Sequence, residues 1–183
     1  LAQAASAETP DSVVFDLDPG DRAGLPECAR VALMLRELLA RVGLASYVKT
    51  SGKKGLHVYV PLNRRETTFE DTKAFSRAVA AALHQEHPDL VTAKMAREHR
   101  AGKVFINWSQ NGASMTMVCV YSLRAEPQPT VSSPLTWAEV QAADRRGAPG
   151  ALRITSTEAL NRIARKGDLF REVLLRKQKL PHA

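Results

Sequence analysis

The chain has 183 residues, of which 44% are hydrophobic and 25% charged, and 26 Lys and Arg against 19 Asp and Glu give a net charge of +7. This length predicts one domain, which can bury most of its apolar surface without disulfide or metal staples. Collagen-like, coiled-coil and fully disordered chains are excluded by composition. We expect neither a secretion signal nor a membrane partner, since no apolar run approaches the roughly 18 residues of a membrane span.

In the first half of the chain, apolar runs and turn residues alternate. Residues 1–11 are small and polar and predict a flexible lead-in to one domain over residues 12–183. The run Val13-Val14-Phe15 predicts a buried strand that ends in a turn over residues 16–20, because Pro19 and Gly20 favour turns. A helix is predicted from Pro26 to about Val42. Strands over residues 46–50 and 56–61 flank a glycine-bracketed turn and predict a hairpin.

The second half continues this mixture of helices and strands. We predict a helix from Phe69 to about His87, with Thr67 or Thr68 near its N-terminal cap, and a strand over residues 103–107. Residues 115–121 form an apolar, β-favouring run, and residues 125–134 read as a Pro-rich loop. A short helix over residues 136–144 and one or two basic helices within 157–180 complete the chain. This order favours a mixed α/β or α+β sheet with helices packed on it.

Charge and cysteine content bear on partners and compartment. Residues 162–179 hold seven Lys and Arg and two acids, a net +5 that suits either nucleic acid or a solvated helix. Cys28 and Cys119 are too few for a zinc site, and both are predicted to be buried apolar side chains. Such sparse cysteine is typical of a reducing compartment.

Asp16 and Asp18 carry the first candidate chemistry. Residues two apart in a strand lie on one side of it, so the two carboxylates repel each other unless something compensates. A divalent cation such as Mg²⁺ or Mn²⁺ would compensate, since it prefers carboxylate oxygens and leaves positions open for phosphate. The alternative is an Asx-type turn with Pro19 and Gly20.

The segment SGKKGLH, residues 51–57, carries the second candidate site. Its two glycines allow close approach of the backbone to an anion, Ser51 adds a hydroxyl and Lys54 a point charge. His57 opens the next strand and could face the same site. The alternative is a glycine turn with exposed lysines and a core histidine, and no P-loop motif is present.

Polar residues also follow two later apolar segments. Asn107 ends a strand and could accept hydrogen bonds or weakly ligate a metal, or could simply cap the strand end. Arg124 follows the apolar run and could clamp a triphosphate, although it could equally be a surface arginine. Together with the acid pair and the glycine turn, these positions suggest a metal and triphosphate site for nucleotidyl transfer.

Four ordered segments, VVFDLDPG, KTSGKKGLHVYVPL, VFINWSQN and VYSLRAEPQPTVSSPLTW, resemble the polymerase domain of bacterial ATP-dependent DNA ligase D. That family belongs to the archaeo-eukaryotic primase superfamily and serves non-homologous end joining. The resemblance covers residues 13 to about 145 clearly and the basic C-terminal part loosely. It implies an α+β primase-type catalytic core, with an RRM-like mixed or antiparallel sheet flanked by helices.

The resemblance also implies a function and its residues. It implies Mn²⁺- or Mg²⁺-dependent addition of nucleotides to primer-template DNA ends, often ribonucleotides, with dNTPs as the alternative. A Ku-like protein and a ligase domain are implied partners, in the cytoplasm beside the nucleoid. Asp16 and Asp18 match the metal-binding acids. The implied nucleotide-binding positions are Ser51, Lys54, Gly55, His57, Gln110 and Arg124, and the implied DNA-binding position is Arg100.

The chain departs from the family pattern at two points. The family's third catalytic carboxylate lies in the motif F-I-D-W-S-Q-N, and here that position is Asn107, which cannot act as a base. This is either a natural variant with weak or lost catalysis or an inactivating substitution. Family members also carry a substantial segment before the first strand, including basic residues that read a 5′-phosphate, and we expect this chain to lack it. A catalytically silent nucleotide- or DNA-binding module and a structural partner domain of a repair ligase are therefore the alternatives.

Overall fold

A six-stranded mixed sheet forms the centre of the computed structural model, which describes residues 9–147, 150 and 152–181. In space the strands run β4-β5-β1-β3-β2-β8, and every neighbouring pair is antiparallel except β4 and β5. The remaining two strands, β6 and β7, form a small antiparallel sheet of their own. The bounds are β1 Ser12–Pro19, β2 Tyr47–Thr50, β3 Leu56–Pro61, β4 Val91–Thr92, β5 Val104–Asn107, β6 Leu123–Arg124, β7 Thr130–Val131 and β8 Pro134–Leu135.

Five α-helices accompany the sheet within the described residues. They are α1 Leu25–Arg41, α2 Phe69–Glu86, α3 Trp137–Arg146, α4 Ser156–Lys166 and α5 Arg171–Leu175, with short 3-10 helices at Arg97–His99 and Trp108–Asn111. Capping boxes start three of them, with Thr68, Thr136 and Thr155 accepting a backbone N–H three residues on. These reciprocal caps satisfy donors that a helix start otherwise leaves unpaired.

The two faces of the sheet have different chemistry because side chains alternate along each strand. On one face, odd-numbered positions of β1 such as Phe15 and Leu17 join the main core with α1. On the other face, Val14 and Tyr59 pack with Phe170 and the start of α5 in a second, smaller cluster. The polar end of this second face, beyond Val14, is where the predicted site residues of β1, β3 and β5 meet.

Most predicted elements are confirmed, including the helices, the first strand, the hairpin and two basic C-terminal helices. The predicted turn at residues 16–20 is wrong in part, because β1 continues to Pro19 and both acids lie within it. Of the predicted lead-in, residues 1–8 lie outside the described residues. The carbonyl oxygen of Asp11, at its end, accepts hydrogen bonds from Leu62 and Asn63.

Three predictions in the second half are wrong. Residues 115–121 form no strand; Met117 and Val120 instead pack against the smaller cluster without pairing to a strand edge. Cys119 in this loop is exposed, whereas Cys28 is buried as predicted. Residues 125–134, predicted as a loop, include β7 and the start of β8. Such two-residue strands depend on long-range pairing, which local propensity does not encode. In the described part of the chain, no helix is long and apolar enough to cross a membrane.

The side chain of Asn111 pairs with the backbone of β1, and its truncation tests how much the stability of the fold depends on this pairing. Its amide accepts from the N–H of Val14 and donates to the carbonyl of Val14, both at 2.8 Å, in a buried position. Because the truncation leaves both backbone groups of Val14 unpaired, Asn111→Ala should destabilise the fold by about 2–4 kcal/mol. Urea denaturation measures this, with Asn161→Ala on exposed α4 as control, expected within about 0.5 kcal/mol of the parent. A loss below about 1 kcal/mol for Asn111→Ala would contradict the expectation.

Candidate active site

Four polar side chains form one row across the second face of the sheet. Asn107 on β5 pairs with Asp16 on β1, Asp16 pairs with His57 on β3, and His57 pairs with Lys49 on β2. Cross-strand partners on one face lie close enough for their side chains to interact. The row therefore brings together residues from four strands that are separated by up to 91 positions in sequence.

Asp16 lies at the centre of this row. Oδ1 of Asp16 is 3.4 Å from Nε2 of His57, and Oδ2 accepts from Nδ2 of Asn107 at 3.4 Å. Burial, followed by the nearby Asp18 carboxylate, raises the pKa of Asp16 to about 6. Asn107, Lys49 and Arg100 oppose this rise only in part. The ionised form of Asp16 is thus held at a cost in free energy.

Asp18 lies on the same side of β1 and nearer to solvent. Its side chain is 58% exposed, and its Oδ2 lies 3.9 Å from a terminal guanidinium nitrogen of Arg100. The guanidinium of Arg100 stacks 3.8 Å from the ring centroid of Phe105 and donates to the carbonyl of Met95. The predicted acid pair and Arg100 therefore lie close together, with Asp18 on the solvent-exposed side of the row.

His57 is buried beside Asp16 rather than exposed. Burial, followed by the charges of Lys49 and Arg124, lowers the pKa of His57 to about 2, so its imidazole is neutral at physiological pH. Its Nδ1 is buried and has no hydrogen-bond partner among the described residues. This buried nitrogen can make one hydrogen bond that no described residue supplies.

Asn107 turns its amide nitrogen, not its oxygen, towards the acidic pair. Nδ2 faces Asp16, while Oδ1 accepts from the hydroxyl of Ser109 at 2.6 Å. An aspartate at this position would place a third negative charge beside Asp16. The asparagine instead satisfies Asp16 with a neutral donor.

The donor set fits a divalent cation only in part. Asp16 and Asp18 supply two carboxylates on one side of a strand, which suits Mg²⁺ or Mn²⁺. Within the described residues no cluster of three or more His, Cys, Asp or Glu could hold a metal. An acid at position 107 would complete such a cluster. Because that residue is Asn107, the site has one negative charge fewer than the family motif implies.

The glycine turn at residues 51–55 is stabilised from within. The hydroxyl of Ser51 accepts from the N–H groups of Lys53 and Gly55, and the N–H of Gly52 bonds to Thr50. With the N–H of Ser51 donating to the carbonyl of Gly55, four of the turn's five amides are already hydrogen-bonded within residues 50–55, which leaves few backbone donors for the anion predicted to approach this turn. Gly55 packs so closely against β1 that a Cβ there would lie 2.2 Å from the carbonyl oxygen of Leu17.

The remaining predicted nucleotide-binding residues surround this turn. Lys54 is exposed and forms no ion pair within the described residues, whereas Lys53 pairs with Glu126 at 3.1 Å. The charge of Arg124 acts on both Lys49 and His57. Gln110 is half-buried with an Oε1 that has no partner in the described part of the chain. Five of these residues thus belong to one region around the hairpin: Ser51, Lys54, Gly55, His57 and Arg124. Gln110 instead follows β5, three residues after Asn107.

Lys49 is the site residue that the sequence analysis missed. Its side chain is fully buried, and burial lowers its pKa to about 7. Its ammonium donates to the hydroxyl of Ser132 at 2.6 Å. Counting back across the tight hairpin places Lys49 opposite His57, so the register was a signal that could have found it.

The basic segment 162–179 uses part of its charge inside the fold. Arg162 and Lys166 both contact the Glu139 carboxylate, at 2.5 and 2.8 Å. Burial would raise the pKa of Glu139, but the hydrogen bonds from Arg162 and Lys166 hold it well below its usual range. Arg176 pairs with Glu172 and donates to the hydroxyl of Tyr47. Among the described residues, three of the segment's seven cations therefore have partners inside the fold, and the other four are available to a polyanion.

The mixed sheet flanked by helices, with a row of polar side chains across one face, defines the chain as an α+β domain with a candidate active site. The family model described as LigD, primase-polymerase domain matches residues 1–170, so the chain belongs to that family. It is 44% identical over 158 residues to the multifunctional non-homologous end joining DNA repair protein LigD of Mycobacterium tuberculosis, covering 86% of this chain and 20% of that protein. It is 34% identical over 139 residues to the bifunctional LigD of Bacillus subtilis, covering 76% and 23%.

A solved structure agrees with this assignment. The polymerase domain from Mycobacterium tuberculosis ligase D in complex with DNA superposes with a TM-score of 0.82 at 41% identity, over 92% of this chain and 56% of that one. The predicted α+β class with a mixed sheet flanked by helices is confirmed. The chain spans about a fifth of the length of the LigD proteins it matches.

Proposed function

We propose that the chain is a nucleotidyltransferase domain that binds a nucleoside triphosphate with Mn²⁺ or Mg²⁺ and adds nucleotides, ribonucleotides in particular, to DNA ends in non-homologous end joining. The observation that carries this proposal is the row Asn107, Asp16, His57 and Lys49, with Asp18 and Arg124 beside it. Family membership and a DNA-bound structural neighbour support the same function. A Ku-like protein and a ligase domain are the proposed partners, at the nucleoid.

The chain's own residues divide into two roles in this proposal. Asp16 and Asp18 would hold the cation, which supplies charge neutralisation for the phosphates when bound. Ser51, Lys54, Gln110 and Arg124 would contact the triphosphate, with Gly55 and His57 shaping its other side. Arg100, tethered above Phe105 and next to Asp18, would contact the DNA strand. Positive groups beside transferring phosphates stabilise the charge that develops there.

Asn107 supports a second candidate, a silent module that binds nucleotide or DNA without turnover. An amide cannot take a proton from a primer hydroxyl, and here its nitrogen faces Asp16. The two candidates share nucleotide binding and differ in extension. A third candidate, a purely structural partner domain of the ligase, predicts no nucleotide binding and a complex that survives Asp16→Ala.

Measuring ATP binding and primer extension side by side, with and without Mn²⁺, separates these candidates. We expect Mn²⁺-dependent ATP binding, and Lys54→Met should weaken it roughly tenfold because one phosphate contact is lost. Lys73→Met on exposed α2 is the matched control and should leave binding unchanged. Binding without extension supports the silent module, and absence of ATP binding to a folded protein contradicts both nucleotide-dependent functions.

A further inference from the structure

Lys49 places an ammonium group in the interior, where packing alone does not require a charge. The side chain is fully buried, yet no carboxylate lies within ion-pair distance of it in the described part of the chain. Its hydrogen bond goes to Ser132, and the ring of Tyr59 lies 5.9 Å away. A methionine would fill the same space without the desolvation cost of a buried charge. The charge therefore needs another explanation.

Ser132 connects Lys49 to the small sheet that carries Arg124. The hydroxyl of Ser132 also donates to the carbonyl of Thr50, which joins it to the end of β2. Its backbone forms two hydrogen bonds with the residues just before β6: the N–H of Tyr121 donates to the carbonyl of Ser132, and the N–H of Ser132 donates to the carbonyl of Ser122. Lys49 thus binds at the point where the two sheets meet.

The same junction brings Arg124 against the glycine turn. A Cβ at Gly52 would lie 2.5 Å from Cγ of Arg124, so the arginine stem packs on the turn itself. The hydroxyl of Thr130, opposite Arg124 in the small sheet, donates to the carbonyl of Gly52, and Glu126 pairs with Lys53. With the bond from Lys49 to Ser132, four contacts therefore hold the small sheet on the hairpin, and the hydrogen bonds of Lys49 and Thr130 are the buried ones among them.

We propose that Lys49 is a positioning residue for nucleotide binding, which acts through Ser132 to hold the Arg124-bearing sheet against the glycine turn. The proposal rests on the proposed triphosphate site and assigns Lys49 no contact with the nucleotide. In its protonated form Lys49 makes a charge-assisted hydrogen bond, which is about twice as strong as a neutral one. This explains why a buried ammonium is kept where an apolar side chain would pack equally well.

Amide hydrogen exchange tests the positioning step without any ligand. Lys49→Met and Ser132→Ala should each raise the exchange rates of the Tyr121 and Ser132 amides by roughly tenfold or more, since the local opening becomes less costly. Ser133→Ala is the matched control, because among the described residues the one hydrogen bond of this neighbouring buried hydroxyl goes to the carbonyl of Pro134, at 3.5 Å. Unchanged exchange in Lys49→Met overturns the proposal.

A double-mutant cycle on ATP binding with Mn²⁺ tests whether Lys49 acts through Arg124. In the parent protein Lys49→Met should weaken ATP binding roughly tenfold, and in an Arg124→Ala background it should weaken binding less than about twofold. An equal loss in both backgrounds means that the Lys49 charge acts directly, and overturns the positioning role. Unchanged ATP affinity in Lys49→Met also overturns it. If the parent protein binds no ATP, the proposed function fails, and the exchange experiment alone decides the positioning of the small sheet.

Discussion

Replacing Asn107 by Asp is expected to raise the rate of Mn²⁺-dependent primer extension by roughly 10²- to 10⁴-fold, the usual contribution of a positioned general base. Asn107 already lies in register with Asp16, so the new carboxylate would stand beside the acidic pair without a change of backbone. It would add a ligand suited to a hard cation and a group able to accept a proton. A steady-state primer-extension assay on a DNA end measures the change.

The same substitution has a second readout that does not depend on catalysis. A third carboxylate beside Asp16 and Asp18 should lower thermal stability without metal, because like charges repel, and Mn²⁺ should restore it. Asn161→Asp on exposed α4 makes the same chemical change away from the row and should alter neither property. If Asn107→Asp is folded and stabilised by Mn²⁺ but extends no faster, the missing carboxylate is not what limits turnover.

Replacing Asp16 by Asn should stabilise the protein at neutral pH while abolishing its response to Mn²⁺. The pKa of Asp16 is raised to about 6 in the folded state from an ordinary 3.8, so folding favours the protonated form. The stability contributed by the bound proton is therefore complete below about pH 3.8 and is lost as the pH rises through 6. A neutral asparagine avoids that loss, and we expect a gain of about 1–3 kcal/mol at pH 7 that vanishes near pH 4.

Denaturant unfolding in EDTA at several pH values between 4 and 7 measures this gain. Asp89→Asn, at an exposed position after α2, is the matched control and should give a small difference that does not change with pH. Thermal unfolding with Mn²⁺ gives the second comparison, in which only the parent protein and the control should gain stability. A pH-independent effect of Asp16→Asn would mean that the ionised carboxylate is not held at a cost in free energy.

Retention of costly charges is the common feature of this site. Lys49 is fully buried and Asp16 largely so, and burial shifts the pKa of each in the direction that favours the neutral form. Proteins rarely keep such groups without a functional reason, because hydrophobic substitutes are often more stable. Both substitutions therefore test whether the site trades stability for function. Asp16→Asn should show the stability that the charge costs, and Lys49→Met should show the binding that the charge supports.

The sequence by itself determined the local elements and part of the site. Alternation along β1 places Asp16 and Asp18 on one side, and the glycine-bracketed turn predicts a hairpin that brings His57 back beside β2. These features are local, since strand period and turn chemistry act over a few residues. The same local reasoning misassigned residues 115–121, because β-propensity reports a fit to a half-buried surface and not the presence of a pairing partner.

Only the tertiary structure decided which residues meet. The strand order β5-β1-β3-β2 places Asn107, Asp16, His57 and Lys49 in one row, and the bond from Lys49 to Ser132 joins residues 83 positions apart. The tertiary structure also shows that amides of the glycine turn form hydrogen bonds within the turn. It further shows that Arg162 and Lys166 form ion pairs with Glu139. Strand order, burial and ion pairing arise from packing between distant segments, which no local pattern of residues encodes.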